Sequence, residues 1–554
     1  MGERFNKYFQ EIPQNIIQRT AQFLLTGFLF GSGIAMLVSS VIPNFAASNK
    51  YFISIYPYTF FFLNQINSIL MAFVLIAAGV GTAARVKKAF SLTIIVLVIA
   101  ILNTLRWLLI YGEFSWSFIL FLFCVLLLTW VSWGAYYRER MAPSWGLVSW
   151  TIAIYIVTFV TYGIVGVLNR PNTHHNFTVP HFLFFPSQKV WLGGFFGLIL
   201  AAVILFVFLR YFSKDTHSKI QQALDFNRIG NVIAQFGGNE ISHLGFIRDK
   251  QMYVYQADGK DQLIFLFRKK ADKLIVLGEP FGNQAYLQAG LAQFMDDADR
   301  EDFTLIFYEA SRALTMQLHE WGFDFFKNGE EGFVDLTTFT MNGKKMRGER
   351  ALVNKFKREG YKFKLLQPPF SPEIMRELHQ VSDEWLGKET EKGFSLGYFV
   401  PDYLNRAPVA VVYDHKGEII SFASVMPQGN TKIISIDLMR SRKDAPSGIM
   451  DFLLVNFFES ARTEGYTSFN FGMAPLAGVG ISHFSFLEER ISHMIYEYGY
   501  KLYGFQGLRE YKAKYVSKWV PKYIAYRKKR SLIYTVLQVL QVVNSPIHRG
   551  HERT

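Results

Sequence analysis

At 554 residues the chain is too long for one hydrophobic core and must divide into several folded regions. Its single cysteine, Cys124, excludes an intrachain disulfide framework and any zinc site built from several cysteines. A formal net charge of +14 points to polyanionic partners, nucleic acid or anionic lipid, with solubility and inside-positive anchoring as the plainer explanation.

Composition is uneven along the chain. From about Gln22 to Tyr211 it runs in long stretches of Leu, Ile, Val, Phe and Trp, whereas beyond Lys214 charge is ordinary. A bilayer core takes about 20 apolar residues per helix, and that template fits six times: 22–42, 59–81, 90–111, 116–135, 146–168 and 190–212. Six spans put both ends on one side. Arg4, Lys7, Arg19, Arg85, Lys87, Lys88, Arg138 and Arg140 lie on that side, against Lys50, Arg170 and Lys189 on the other. The positive-inside rule therefore predicts cytoplasmic termini and a cytoplasmic C-terminal region. Arg106, inside the third run, reads as a snorkelling side chain, or else as one with a headgroup contact or a buried partner. The loop holding His174, His175 and His181 lacks metal-ligand spacing and reads as a solvated or interfacial loop.

The soluble half alternates strand and helix patterns. Gln251–Gln256, Leu263–Arg268, Leu274–Leu277 and Thr304–Tyr308 predict strands, with a helix over Asn283–Ala298. A second set follows: helices Ala351–Glu359 and Pro372–Leu386, strands Val409–Tyr413, Ile419–Met426 and Ile433–Leu438, helix Gly448–Thr463 and strand Ser468–Gly472. The pattern predicts a duplicated α/β module with its boundary in Thr338–Gly348. The regions are then 1–213 (six transmembrane helices), 214–345 and 346–530 (two α/β domains, the second carrying the site), and 531–554 (an apolar helix and tail).

Three segments carry chemistry. Ser435-Ile-Asp-Leu-Met-Arg440 runs into Asp444-Ala-Pro-Ser-Gly448 and a helix, so backbone N–H groups near Gly448 can face a phosphate or oxyanion, with Asp437 and Arg440 beside them. Residues three apart on a regular strand face opposite ways, so cooperation of Asp437 with Arg440 requires the strand to end or twist near Leu438. Taken alone, the pair fits a strand end with a surface ion pair better than a site. The second segment, Asn470–Gly480, is rich in small residues that let backbone approach a ligand, but lacks dinucleotide spacing. In the third, Phe505–Arg530, nine Lys or Arg against one acid interleave with Tyr511, Tyr515, Trp519, Tyr523 and Tyr526, a composition suited to a phosphate backbone with stacked bases or to an anionic membrane surface. Leu532–Val543 is apolar but too short to span. A catalytic Ser or Cys triad finds little support, because the Ser residues lack a His partner pattern and the only Cys lies in an apolar run, and Walker A and zinc-hydrolase patterns are absent from the sequence.

Asp383-Glu-Trp-Leu386, Gly393-Phe-Ser-Leu-Gly397, Ile436-Asp-Leu-Met-Arg440, Gly448-Ile-Met-Asp-Phe452, Gly472-Met-Ala-Pro-Leu-Ala-Gly478, Gly504-Phe-Gln-Gly-Leu-Arg509 and Tyr511-Lys-Ala-Lys514 occur in an order that closely resembles the aminoacyl-phosphatidylglycerol synthases, the phosphatidylglycerol lysyltransferase or multiple peptide resistance factor family, over roughly 230–530. The resemblance implies two tandem acetyltransferase-like (GNAT-type) domains. It implies an aminoacyl-tRNA donor carrying Lys, Ala or Arg, phosphatidylglycerol as acceptor, and no metal or nucleotide cofactor. Asp437 would orient or deprotonate the acceptor hydroxyl, or hold the donor's ammonium. Arg440 and Lys512 would offset charge on the tetrahedral intermediate or grip phosphate, with Lys514 able to exchange with Lys512. Arg509, Asp451, Asn470 and Gly448 are second-rank binding residues. The longest relatives carry a further block of N-terminal helices associated with flipping the product, so synthesis is the expectation, with a homo-oligomer and a separate flippase as further partners. The competing readings are a membrane-tethered acyl-CoA-dependent acetyltransferase, whose pyrophosphate loop Arg442–Gly448 fits poorly, and a non-enzymatic membrane protein binding RNA or anionic lipid.

Overall fold

A computed structural model describes residues 2–42, 50, 65–111, 116–168, 188–214, 218, 220, 222–429, 431–486, 489–490, 505–527 and 532–547. Packing divides the chain into two compact units, residues 1–218 with 298–303, and 219–297 with 304–554.

The first unit holds helices α1 (Gly2–Val41), α2 (Gln65–Ala83), α3 (Lys87–Tyr111), α4 (Trp116–Val131), α5 (Trp145–Leu168) and α6 (Gln188–Ser213). Apart from Ile42 at the end of the first, each predicted apolar run is helical wherever it is described. Among the described residues, four stretches are long and apolar enough to cross a membrane: Ile16–Val41, Ile66–Ala83, Trp145–Leu168 and Gln188–Ser213. Helix α4 has 16 residues before it tightens into a 3₁₀ turn at Ser132–Ala135, and α3 carries Arg106 on an exposed face. Close packing uses small residues: a side chain on Gly33 would strike Ile76, and one on Gly81 would strike Ala89. Lys88 Nζ donates to the carbonyls of Tyr211 (3.3 Å) and Lys214 (2.9 Å), satisfying the carboxyl end of α6. The turn Ala298–Phe303 belongs to this unit through ion pairs of Arg138 with Asp299 and Asp302 and of Arg140 with Glu301. The histidine-bearing loop lies outside the described residues.

The second unit is built on one 12-stranded sheet. Its elements are α7 (Phe226–Phe236), β1 (Gln251–Ala257), β2 (Lys260–Lys270), β3 (Lys273–Leu277), β4 (Phe281–Gly282), α8 (Leu287–Arg300), β5 (Thr304–Ala310), α9 (Arg312–Glu320), β6 (Phe323–Asp335), α10 (Arg347–Arg358), β7 (Lys362–Leu366), α11 (Pro372–Leu386), α12 (Pro401–Leu404), β8 (Val409–Tyr413), β9 (Ile419–Pro427), β10 (Ile433–Ser441), α13 (Ile449–Thr463), β11 (Ser468–Pro475), α14 (Phe505–Ala513), β12 (Lys518–Arg527) and α15 (Leu532–Val543). The strand order is β1-β2-β3-β5-β12-β6-β11-β10-β9-β8-β7, with β4 on β2.

The order contains one motif twice. Antiparallel β1-β2-β3 is followed by α8 and by β5 parallel to β3; antiparallel β8-β9-β10 is followed by α13 and by β11 parallel to β10. The repeats then exchange their last strands: β6 follows β5 in sequence but pairs with β11, while β12 follows β11 but pairs with β5. This is a tandem acetyltransferase-like region, as the resemblance implies. Strands β6 and β12 were missed because polar Lys327-Asn-Gly-Glu-Glu331 interrupts one, and the other lies in the basic run read for its charge. Helix α15 lays Val539 and Val542 into the core while Leu537 and Leu540 remain exposed.

Candidate functional site

The site begins where two parallel neighbours part. β10 and β11 pair only through Ile433↔Ser468, Ile434↔Phe469 and Ser435↔Asn470. Beyond that point β10 is bulged against β9 between Ile436 and Met439, and β11 is bulged against β6 between Asn470 and Met473. A bulge re-aims side chains and ends pairing. The twist required near Leu438 is therefore present, although the strand runs on to Ser441. Ser424 Oγ accepts the bulged Leu438 N–H at 3.0 Å, and Ser435 Oγ donates to the Asn470 carbonyl at 2.9 Å, pinning the last paired rung.

Asp437 sits in the β10 bulge. Its Oδ1 accepts from the Gly397 N–H (2.9 Å) and its Oδ2 from the Tyr403 hydroxyl (2.8 Å). Burial pushes its carboxyl above the usual range, against the Gly397 and Tyr403 donors and the charges of Lys250 and Arg440. Tyr403, on the short turn α12, lies with its ring 5.0 Å from that of His243. Burial drives the His243 pKa down to about 3, with Arg406 adding to the effect, so this imidazole stays neutral near pH 7.

Across the split, α14 presents Arg509 and Lys512 three residues apart on one face. Lys512 Nζ donates to the carbonyls of Gly472 (3.2 Å) and Met473 (2.9 Å). Burial lowers its ammonium to about 8, against the charges of Glu331 and Glu309. Gly472 has φ +70, which turns these carbonyls without the strain an L side chain would bring. Asn470 fixes the same turn: its Oδ1 accepts the Gly472 N–H at 2.7 Å and its Nδ2 donates to Glu331 at 2.9 Å.

Glu331 opens onto an ionic cluster absent from the sequence reading. Lys522 on β12 lies 2.5 Å from Glu240 and 3.2 Å from Glu331. Burial would lower the Lys522 pKa, but Glu240 and Glu331 hold it raised. Glu309, held at φ +65 near the end of β5, is pushed up to about 8 by burial and then by Glu331, against Lys522. A non-glycine residue in that region is strained, a feature concentrated at functional sites.

The remaining candidates separate. Arg440 does not reach across to Asp437's partners; it is buried and bidentate to Glu391 at 2.7 and 3.0 Å, hydrogen-bonded to Ser382, with its guanidinium 5.1 Å from the Trp385 ring centroid. The surface ion pair expected between Asp437 and Arg440 is thus replaced by a buried one with Glu391. Helix α11 positions Ser382 and Trp385: Ser371 caps its start, Pro372 opens its first turn, and Leu378, Val381 and Ser382 face inward. Arg509 pairs with Glu330 at 3.1 Å and stacks 4.8 Å from the Trp519 ring centroid. Asp451, in the first turn of α13, accepts from the Tyr515 hydroxyl (2.6 Å), and Lys514 stands 3.5 Å away, its side chain 43% exposed. Gly448 caps α13 at φ +89, with Leu352 packed where a side chain would project.

The basic run 505–530 is not one polyanion-facing strip. Its described part is a helix and then an interior strand, so Lys512, Lys522, Tyr515 and Tyr526 are buried while Lys518 is exposed. An exposed basic face lies elsewhere, at Lys344, Lys345, Arg347, Lys355, Lys357 and Arg358 on and before α10. Glu309, Glu331, Glu391 and Tyr403 carried no local motif. Gly397 stood inside a quoted motif, but only its approach to Asp437 gives it a role.

A family model described as "Phosphatidylglycerol lysyltransferase, C-terminal" matches residues 231–526. The chain is similar to the phosphatidylglycerol lysyltransferase of Bacillus subtilis (strain 168), 36% identical over 533 residues covering 96% of this chain and 61% of that protein. Its similarity to the Staphylococcus haemolyticus (strain JCSC1435) protein of the same name is 35% over 72% of this chain and 50% of that one. The chain therefore spans three fifths to one half of the length of these curated relatives. Among solved structures it resembles "The structure of L-PGS from Bacillus licheniformis", with TM-score 0.53 and 44% identity over 59% of this chain and 99% of that one.

Proposed function

The chain belongs to the phosphatidylglycerol lysyltransferase family, and on that premise we propose that it transfers an aminoacyl group, lysyl in our reading, from aminoacyl-tRNA to phosphatidylglycerol at the cytoplasmic membrane face. The observation that carries this is the pair of groups flanking the strand split: Asp437, held by Gly397 and Tyr403, and Lys512, held on the Gly472 and Met473 carbonyls.

The donor ester is already activated, so transfer needs a base, an acid and a grip on two anionic substrates. A headgroup hydroxyl attacks the ester carbonyl and gives its proton to Asp437, whose raised basicity suits it to the task. The tetrahedral oxyanion is stabilised by the Lys512 ammonium. The ribose oxygen leaves with a proton from Lys512, whose pKa of about 8 keeps it mostly protonated at pH 7 yet able to give that proton up. Solvent returns the proton from Asp437 to Lys512, and atoms and charge balance. Arg440 acts as a positioning residue: Glu391, which it holds, also accepts the Phe399 N–H at 3.3 Å and so fixes the segment that carries Gly397.

Glu240 and Glu331 share the single cation Lys522, which favours a further cationic aminoacyl side chain near Lys512, and a cation there would draw Glu309 toward its ionised form. The exposed cations of α10 suit a phosphate backbone. Cytoplasmic placement rests on the Lys and Arg bias of the short loops, such as Arg85, Lys87 and Lys88.

The test is lipid extraction and mass spectrometry from cells lacking aminoacylated lipids, with and without the protein. A new phosphatidylglycerol species heavier by one lysyl residue is the expected result; an unchanged lipid profile with inserted protein overturns the assignment.

A further inference from the structure

Beyond β11 the chain forms a loop whose base is buried and whose tip is not. Ala477 and Val479 are fully buried, the Leu476 N–H donates to the Asn328 carbonyl at 2.8 Å, and Lys327 Nζ donates to the Gly478 carbonyl at 2.9 Å. The tip then exposes Ile481 (72%), Phe484 (84%) and Phe486 (77%); among the described residues of this unit, no other large apolar side chain exceeds the 53% of Leu396. The tip is an ordered turn: the Ser485 N–H donates to the Ser482 carbonyl at 3.0 Å, the Arg490 N–H to the Phe486 carbonyl at 3.0 Å, and the Arg490 guanidinium to the His483 carbonyl.

Three large apolar side chains left in water forgo the stabilisation of burial, so a persistent exposed cluster marks a surface that meets something apolar. We propose that Ile481–Phe486 is a membrane-dipping tip that seats in the headgroup and upper acyl layer of an anionic bilayer and presents the acceptor lipid to the site. This rests on the reading that the acceptor is a bilayer lipid. Two observations favour a bilayer over a second protein. Ser482, His483 and Ser485 interleave with the apolar residues and Arg490 stands at the tip's edge, which suits a layer with apolar depth and anionic, polar headgroups. The three described side chains fall well short of a stable protein interface of about 800 Å² per partner, whereas the chain carries apolar helices long enough to cross a bilayer. The tip continues the strand that carries Gly472 and Met473, the acceptors of Lys512.

The test uses the full chain with Cys124→Ser, reconstituted in nanodiscs containing phosphatidylglycerol, with an environment-sensitive fluorophore on Phe484→Cys or, as a control, on Lys416→Cys at the exposed β8–β9 hairpin. Quenching by nitroxide on the acyl chains is expected to be strong at 484 and weak at 416, with iodide showing the reverse. Equal quenching at the two sites overturns the proposal, as does self-quenching at 484 that persists when the lipid is diluted out, which would assign the tip to a second copy. In transfer assays Phe484→Ser/Phe486→Ser is expected to raise KM for phosphatidylglycerol about tenfold with kcat and the donor KM unchanged; an unchanged lipid KM overturns the role in presentation. The quenching result stands whether or not transfer occurs, so failure of the tip and failure of the functional reading are told apart.

Discussion

Gly397 and Asp437 are in contact too close for any other residue at 397: the Gly397 N–H donates to Asp437 Oδ1 at 2.9 Å, and a Cβ there would stand 1.7 Å from Oδ2. Adding one methyl must therefore displace the carboxylate. Gly397→Ala should lower kcat by about 100-fold or more, since a misplaced catalytic group of about 1 Å carries a cost of that order. The thermal midpoint should fall only slightly. Steady-state transfer kinetics with a thermal melt on the same preparation decide it; full activity would show that Asp437 has no fixed part in the reaction.

Arg440 and Glu391 are a buried pair, and breaking one leaves the other charge uncompensated. Arg440→Met should destabilise the protein by about 3–5 kcal/mol, while Arg440→Met/Glu391→Leu should recover much of that loss. Denaturation of the single and double variants measures it. An Arg440→Met protein of wild-type stability and no activity would instead make Arg440 a group that touches substrate.

If Lys512 donates the leaving-group proton, its protonated form is the active one. The rate should then fall as pH rises through about 8, the pKa that burial imposes on it. Glu309 titrates in the same range, so the assignment needs a variant. Lys512→Arg should move the falling limb well upward at reduced kcat, because guanidinium stays charged. A limb that remains near pH 8 in Lys512→Arg would belong to Glu309.

Glu309 has its folded pKa raised from the ordinary 4.5 to about 8, so the folded protein keeps a proton that the unfolded chain releases. The stability it contributes is present below pH 4.5 and is lost as pH rises to about 8. Glu309→Gln should remove that part of the decline, and the gap between variant and wild-type thermal midpoints should widen from pH 5 to pH 8. At pH 9, where Glu309 is ionised, the same variant should raise KM for a lysyl donor by about tenfold and leave an alanyl donor unaffected, the scale of one lost charge contact. Equal effects on both donors would remove Glu309 from amino-acid selection.

Much of the fold was legible because its signals are local. The apolar runs, and helix α11 with its Ser371-Pro372 start and Gly387 stop, carry their reasons in adjacent residues. The strand exchange was not legible, because β6 finds its partners β11 and β12 more than a hundred residues away and its polar centre hides its pattern. The site divided the same way. Asp437, Arg440 and Lys512 stood in recognisable motifs, but that Arg440 is occupied by Glu391 depends on a loop returning 49 positions away in sequence. Lys512 and Lys514 look alike in the chain and are distinguished only by the helix: one points to the Gly472 and Met473 carbonyls, the other to Asp451.

The most direct measurement of the central claim uses the purified 554-residue chain in phosphatidylglycerol vesicles, supplied with lysyl-tRNA labelled on the lysine and with neither ATP nor acyl-CoA. Label should pass to the lipid, and Asp437→Asn and Lys512→Ala, folded and inserted, should each slow that transfer by about 100-fold or more. Label that stays on tRNA with the wild-type protein, or passes to lipid at the wild-type rate in both variants, would contradict the account.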